Sequence, residues 1–260
     1  MSRRAVAAVP LVVALGLVSA GCGGSGSASP DANVLTVSAA SSLSGAFAQL
    51  GKAFEAAHPG LHITYNFAGS STLAEQIVQG APVDVFASAS PATMQTVRDA
   101  GLVTNATNFA SNVLEIVTPP DNPAEIAGIR DLRRPLSKVP VTVAMCEVTV
   151  PCGASTVALF ERQGWQVGDM RIVSTEPDVK SVLAKVIAGE VDAGIVYVTD
   201  ALAAGTQVHA VQIPVDQNVR STYPIAVLTA STNPLAQQFA DYVLSGQGQG
   251  VLAAYGFGAA

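Results

Sequence analysis

The chain is short of the side chains that most enzymes work with. Its 260 residues include three histidines and three cysteines, and charged side chains make up only 12%. His58, His62 and His209 stand in no motif with a serine or cysteine. No Gly-x-Ser-x-Gly turn presents a nucleophile, so hydrolase or transferase chemistry lacks both its base and its attacking group. Cys22, Cys146 and Cys152 make no zinc pattern. There is no phosphate-loop lysine, and no Gly-x-Gly-x-x-Gly joins a strand to a helix, which argues against nucleotides. Basic residues number 13 against 19 acidic ones, so the positive footprint that nucleic acid requires is missing too. The N-terminal apolar run, Ala5 to Val18, is too short for a comfortable membrane span.

That run follows Arg3 and Arg4 and closes in small residues, the layout of a secretion signal, with an N-terminal anchor helix as the alternative. The ending "VSAGC" followed by "GGSGSASPDAN" resembles a bacterial lipoprotein signal. Ser19 stands where such signals usually carry an aliphatic residue. The resemblance implies a signal peptide over residues 1–21, a lipid on Cys22, and a flexible tether over 22–33. It implies a domain exported to the outer face of the cytoplasmic membrane, in the periplasm or at the cell membrane. Removing residues 1–21 takes away Arg3 and Arg4 and no acid, which leaves 11 basic against 19 acidic side chains and a charge of −8. Overall charge cannot draw in an anion, so any anion site must act locally. Cys146 and Cys152, with five residues between them, would meet an oxidising compartment, and a disulfide or two thiols are both open.

Abundant alanine and valine with few aromatics fits packed α/β layers, and about 239 mature residues allow one large domain or two smaller ones. "VLTVSAA" reads as a strand, and Leu43, Phe47, Leu50 and Phe54 recur at helical spacing. "LHITYNF" is the next strand, Leu73 to Gln79 a helix stopped by Gly80, "VDVFASA" a third strand, and "PATMQTVRDAGLV" a helix opened by Pro91. This βαβαβα order predicts a mostly parallel sheet. After the Pro- and Asn-rich passage "TPPDNPAEI" the pattern restarts, with strands at "VPVTVAM", "RIVST" and "AGIVYVTDA" and helices at "GASTVALFERQGW" and "DVKSVLAKVIAGE". A last strand, "YPIAVLTA", precedes the amphipathic "PLAQQFADYVLS".

In such folds ligands collect at the carboxyl ends of strands, where helix starts expose unpaired N–H groups and a partial positive charge. Ser41 and Ser42, then Ser70, Ser71 and Thr72, stand at two such junctions, and "VPCGAST" at a third. Serine and threonine also cap helices, and Thr72 with Glu75 has capping-box spacing, so anion binding and capping are both open. Tyr197, inside an apolar strand, fits a core aromatic as well as a donor.

Taken together, "VSAASSLSGAF", "FAGSSTLAEQIVQGAPVDVFASA", "VPCGASTVALFERQG", "EPDVKSVLAKVIAGEVDAGIVYVTDA" and "YPIAVL" resemble the periplasmic molybdate-binding proteins that feed ABC transporters, in order from about Val34 to Phe257. The resemblance implies a two-lobed periplasmic-binding-protein fold of class II, each lobe a mixed, mostly parallel sheet flanked by helices. Lobe 1 would take residues 34–110 and 223–260 and lobe 2 residues 111–222, with hinge strands at "SNVLEIVTPP" and "RSTYPI".

The family's ligands fall on Ser42 and Ser70 by hydroxyl and N–H, on the N–H groups of Cys152 and Val179, and on the Tyr197 phenol. Cys152 stands where the family usually has alanine, and Lys180 where arginine is more usual. Molybdate is a deprotonated tetrahedral dianion at neutral pH and asks only for donors. Phosphate keeps a proton that such a pocket leaves unpaired. Sulfate differs by size, and tungstate hardly at all. The implied function is an extracytoplasmic receptor for molybdate or tungstate, with no catalysis, no cofactor and no metal beyond the oxyanion. It would act as a monomer with a permease and an ATPase as partners. A receptor for sulfate or another small oxyanion, and an α/β enzyme acting on an anionic substrate, are the alternatives.

Overall fold

The computed structural model describes residues 33–133 and 140–260. The expected signal peptide, Cys22 and the tether up to residue 32 lie outside them.

The chain opens with β1 (Val34–Ala40), a 3-10 turn (Ser41–Leu43), α1 (Ser44–Ala57), β2 (His62–Ala68), α2 (Ser70–Val78), β3 (Val85–Ala87) and α3 (Pro91–Asp99). β1 pairs in parallel with β2 and with β3, as the alternation of elements predicts. The spacing of Phe47, Leu50 and Phe54 gives α1 one apolar face, which packs on β1 residues Leu35 and Val37 and on Phe239 and Val243 of α7 (Ala236–Leu244). Ser90 caps α3 by accepting from the Ala92 and Thr93 amides, and Pro91 takes the first helical position, where its missing N–H costs nothing.

β4 (Thr107–Thr118) is a 12-residue strand that serves two bodies. Its first part pairs with β9 (Arg220–Val227), and its last residues pair with β7 (Ala193–Tyr197) and β8 (His209–Gln212), all antiparallel. Phe109 and Ala110 belong to the core around α1, whereas Leu114, Ile116 and Val117 belong to a second core. That second core is built on β5 (Thr142–Cys146), parallel to β6 (Arg171–Glu176) and β7. It is covered by α4 (Pro151–Arg162) and α5 (Val179–Ile187), through residues such as Leu159, Phe160, Val182 and Val186. The strand order is β2-β1-β3-β9-β4-β7-β5-β6, with β8 beside β4. Each core buries its own apolar set, and β4 and β9 run between the two.

Several elements depart from the sequence reading, among them β8, which it did not anticipate. α2 begins at Ser70 rather than Leu73, so its hydroxyls lie inside the first turn. The segment read as the strand "AGIVYVTDA" is strand only to Tyr197 and then turns into α6 (Val198–Ala204). α8 (Gly246–Ala254) forms from "GQGQGVLAA", whose three glycines give no helical signal. It is held by Ser245, which accepts from the Gly248 amide, and by burial of Leu252. Propensity is overridden there by a cap and a packing contact.

Candidate functional site

The helix starts of both bodies converge. Ser42, Ser70, Cys152, Val179 and Tyr197 line one small cavity of about 10 Å³ between the two halves, and each is between 1% and 6% exposed. The first two come from the carboxyl ends of β1 and β2, the others from those of β5, β6 and β7. Among the described residues no lysine or arginine lines it. A larger cavity of about 400 Å³, lined by Val34, Ile77, Pro82 and Leu228, lies at the opposite ends of the strands and has no such convergence of donors.

Side-chain capping differs among these starts. The 3-10 turn, α1, α2 and α4 all begin without a side-chain cap, whereas α3, α5 and α8 have one. The capping box read from Thr72 and Glu75 does not form, since Gly69 is the cap residue and Thr72 is an exposed third position in the helix. Ser70 Oγ accepts the Ala89 N–H at 3.0 Å, which leaves its own proton to donate elsewhere. Ser42 Oγ lies 3.1 Å from the Tyr223 hydroxyl. Ser71 faces away from this task and donates to the Thr149 carbonyl of the other half.

On α5, Asp178 lines the cavity, a carboxylate the sequence reading left out. Its Oδ1 is engaged by the Lys180 and Ser181 amides and its Oδ2 by the Ser181 hydroxyl, so its charge is turned onto its own helix. Those bonds take the second and third amides of the helix and not the first, that of Val179. On α4, Pro151 brings no N–H, and Cys152 supplies the next amide. Cys146 and Cys152 form a disulfide with Cα atoms 5.7 Å apart, which ties the first turn of α4 to the end of β5. Gly153 is required here because a Cβ would stand 1.8 Å from the Glu147 carbonyl oxygen. Gly69 is required for another reason: its Cβ would stand 2.3 Å from the carbonyl oxygen of Pro177, on the opposite half.

Tyr197 is 1% exposed, and its hydroxyl has no partner in hydrogen-bond geometry. Burial pushes its phenol up to about 12, tempered by the nearby Ser221, Ser155 and Tyr223 hydroxyls. An orphaned donor this deep is costly unless a ligand takes it. The nearest cation in sequence, Lys180, sits 2.9 Å from Asp200 Oδ1, and Asp200 is fully buried. Burial raises the Asp200 pKa, and the Lys180 charge opposes the rise.

Tyr223 and Ser221 were not read as part of the site from the sequence, and Ser71, one of the candidate hydroxyls, is turned to the Thr149 carbonyl instead. Ser155 and Ser221 join α4 to β9 with hydroxyls 2.9 Å apart. Only Asp178 carried a usable signal, since Asp before an apolar-periodic run marks a helix start. Among the described residues no group of three or more His, Cys, Asp or Glu could hold a metal ion.

The description "bacterial extracellular solute-binding protein" matches residues 35–258 as a family model. A molybdate-binding protein ModA of Mycobacterium bovis is 41% identical over 96% of this chain and 95% of its own length. The Escherichia coli protein of that name is 32% identical over 89% and 91%. Among solved structures, the substrate binding domain of a putative molybdenum ABC transporter from Clostridium difficile superposes with a TM-score of 0.66 at 28% identity, covering 87% of this chain and 99% of that one.

Proposed function

This chain belongs to the bacterial extracellular solute-binding protein family, and on that footing we propose that it is the molybdate receptor of an ABC importer. It binds and delivers, and it is not an enzyme. The observation that carries the reading is the unpartnered Tyr197 hydroxyl, buried in a cavity lined by serine hydroxyls and helix-start amides, with no lysine or arginine and with the one carboxylate, Asp178, turned onto its own helix. Two relatives named as molybdate-binding proteins, each similar over most of its length, support the choice of ion.

The ligand set would be the Ser42 and Ser70 hydroxyls and N–H groups, the Cys152 and Val179 amides, and the Tyr197 phenol. Neutral dipoles suffice in a water-excluded site, because each is worth more at low dielectric and needs no reorganisation. An anion held from both sides favours the closed arrangement by its differential contacts. Residues 34–110 with 223–260 would be one lobe and 111–222 the other, hinged at β4 and β9. Tungstate, of nearly the same size and charge, would enter as well. The remaining parts of the reading are export to the outer face of the cytoplasmic membrane, a lipid on Cys22, a monomeric state, and a permease and an ATPase as partners.

Titration calorimetry with molybdate, tungstate, sulfate and phosphate tests the reading. Tight binding of the first two and weak binding of the others supports it. Preference for sulfate would transfer the reading to a sulfate receptor, and heat from none of the four would overturn it.

A further inference from the structure

Of the three serines that line the cavity, Ser42 and Ser70 are held from behind. Ser70 Oγ receives a backbone N–H from Ala89, and Ser42 Oγ meets Tyr223 Oη at 3.1 Å. Tyr223 is fully buried on β9, far from Ser42 in sequence, and its ring is fixed edge-on against Phe109, Tyr197 and Phe257. A serine hydroxyl has one proton and two acceptor positions. If Ser42 donated to Tyr223, it would aim its lone pairs at an incoming dianion. The reverse order, phenol to serine to anion, aligns the dipoles so that each bond strengthens the next. The phenol is also the more acidic hydroxyl of the two. With an anion present, Tyr223 is therefore the donor and Ser42 passes its own proton forward.

We propose that Tyr223 is a specificity-determining residue: by donating to Ser42 it fixes that hydroxyl as a donor, and so turns the pocket against oxyanions that carry a proton. This deepens the reading of the cavity as an oxyanion site and rests on it. Hydrogen phosphate must place its own O–H against an acceptor, and a serine locked as a donor opposes that O–H. Ser70 is locked in the same sense by a main-chain amide, which no side-chain change removes. Tyr223 is thus the lock that a substitution can open. Sulfate supplies the control, because it carries no proton at neutral pH and differs from molybdate in size.

The test is calorimetry on the mature protein with molybdate and sulfate, with phosphate read by displacement of molybdate, for wild type, Tyr223→Phe, Ser42→Ala and the double variant. Tyr223→Phe keeps the buried ring and frees the Ser42 hydroxyl to rotate. Molybdate and sulfate should each weaken up to about tenfold, the upper size of one neutral hydrogen bond. Phosphate should hold or tighten, so the molybdate-to-phosphate ratio narrows while the molybdate-to-sulfate ratio stays. In the Ser42→Ala background the tyrosine change should narrow the first ratio no further. Three ions weakening in parallel would show that Tyr223 only shapes the site and would overturn the proposal, as would no change at all. Should Tyr223→Phe not fold, Ser42→Ala alone carries the test, and an unmoved molybdate-to-phosphate ratio counts against it. A wild-type protein that binds none of the ions sinks the oxyanion reading itself, and the inference with it.

Discussion

Ser71 donates a 2.8 Å hydrogen bond to the Thr149 carbonyl, joining the half built on β1 to the half built on β5 beside the buried cavity. Close by, Gly69 meets Pro177 with no room for a Cβ. The two contacts describe a molecule whose halves are shut against each other, and both can be broken without touching a proposed ligand side chain.

Gly69→Ala should hinder closure while leaving each half folded. Molybdate affinity is expected to fall at least about tenfold, or about 1.4 kcal/mol, with little change in the thermal midpoint of the ligand-free protein. Ser71→Ala should lose less, about 0.5–1.5 kcal/mol, the net value of one neutral hydrogen bond. Calorimetry and small-angle scattering with and without molybdate check both. Unaltered affinity in Gly69→Ala would mean that closure is not linked to binding.

Tyr197→Phe separates ligand from fold by the sign of its two effects. It deletes a buried hydroxyl that has no protein partner in hydrogen-bond geometry, so unfolding stability should hold or rise. Affinity for molybdate should fall by about 1.5–3 kcal/mol, the value of a hydrogen bond to a charged group. A loss of stability with affinity intact would return Tyr197 to the role of core aromatic.

Lys180 is expected to matter for the fold and not for charge recognition. Lys180→Met leaves Asp200 buried without its counter-ion, and stability should drop by about 3–5 kcal/mol. Replacing Asp200 with leucine in the same chain should recover much of that loss. Chemical denaturation reads the stability, and molybdate binding should persist in whichever variants fold.

The alkaline pH dependence follows from phenols raised by burial, Tyr197 and Tyr223 in the site and Tyr65 beside α1. Tyr197 is raised to about 12, and Tyr223 is raised well above its ordinary value, with burial the largest cause for both. Below about pH 10 folded and unfolded chains both keep these protons. Above it the unfolded chain loses protons that the folded one retains, so stability is lost as pH climbs from 10 toward 12. Tyr197 alone accounts for about 2–3 kcal/mol of that loss. Tyr197→Phe should take its own share from this limb and leave the rest to Tyr223 and to Tyr65, which burial also raises, while molybdate affinity should stay level from pH 7 to 9 because every proposed donor keeps its proton there.

Much of this was written locally in the chain. Hydroxyls between a strand pattern and a helix pattern, as at Ser42 and Ser70, mark the ends of β1 and β2, and the topology of parallel strands brings such ends together. The family resemblance, not spacing, singled out Val179 and Cys152, since a backbone N–H carries no residue signature. What stayed hidden depends on contacts between distant segments. Nothing near Tyr223 in sequence points to Ser42, 181 residues away. Nothing in the triplet Ser70, Ser71, Thr72 tells which hydroxyl faces the cavity, which crosses to Thr149 and which meets water. The three-residue shift in the start of α2 decided that, and boundaries are what periodicity fixes least well.

The most direct test is a crystal structure of the protein soaked or grown with molybdate. The account predicts the ion between the two halves, its oxygens within hydrogen-bond reach of the Ser42, Ser70 and Tyr197 hydroxyls and of the Cys152 and Val179 amides, and Lys180 still on Asp200. An ion bound elsewhere, or one held chiefly by a lysine or arginine side chain, would contradict it.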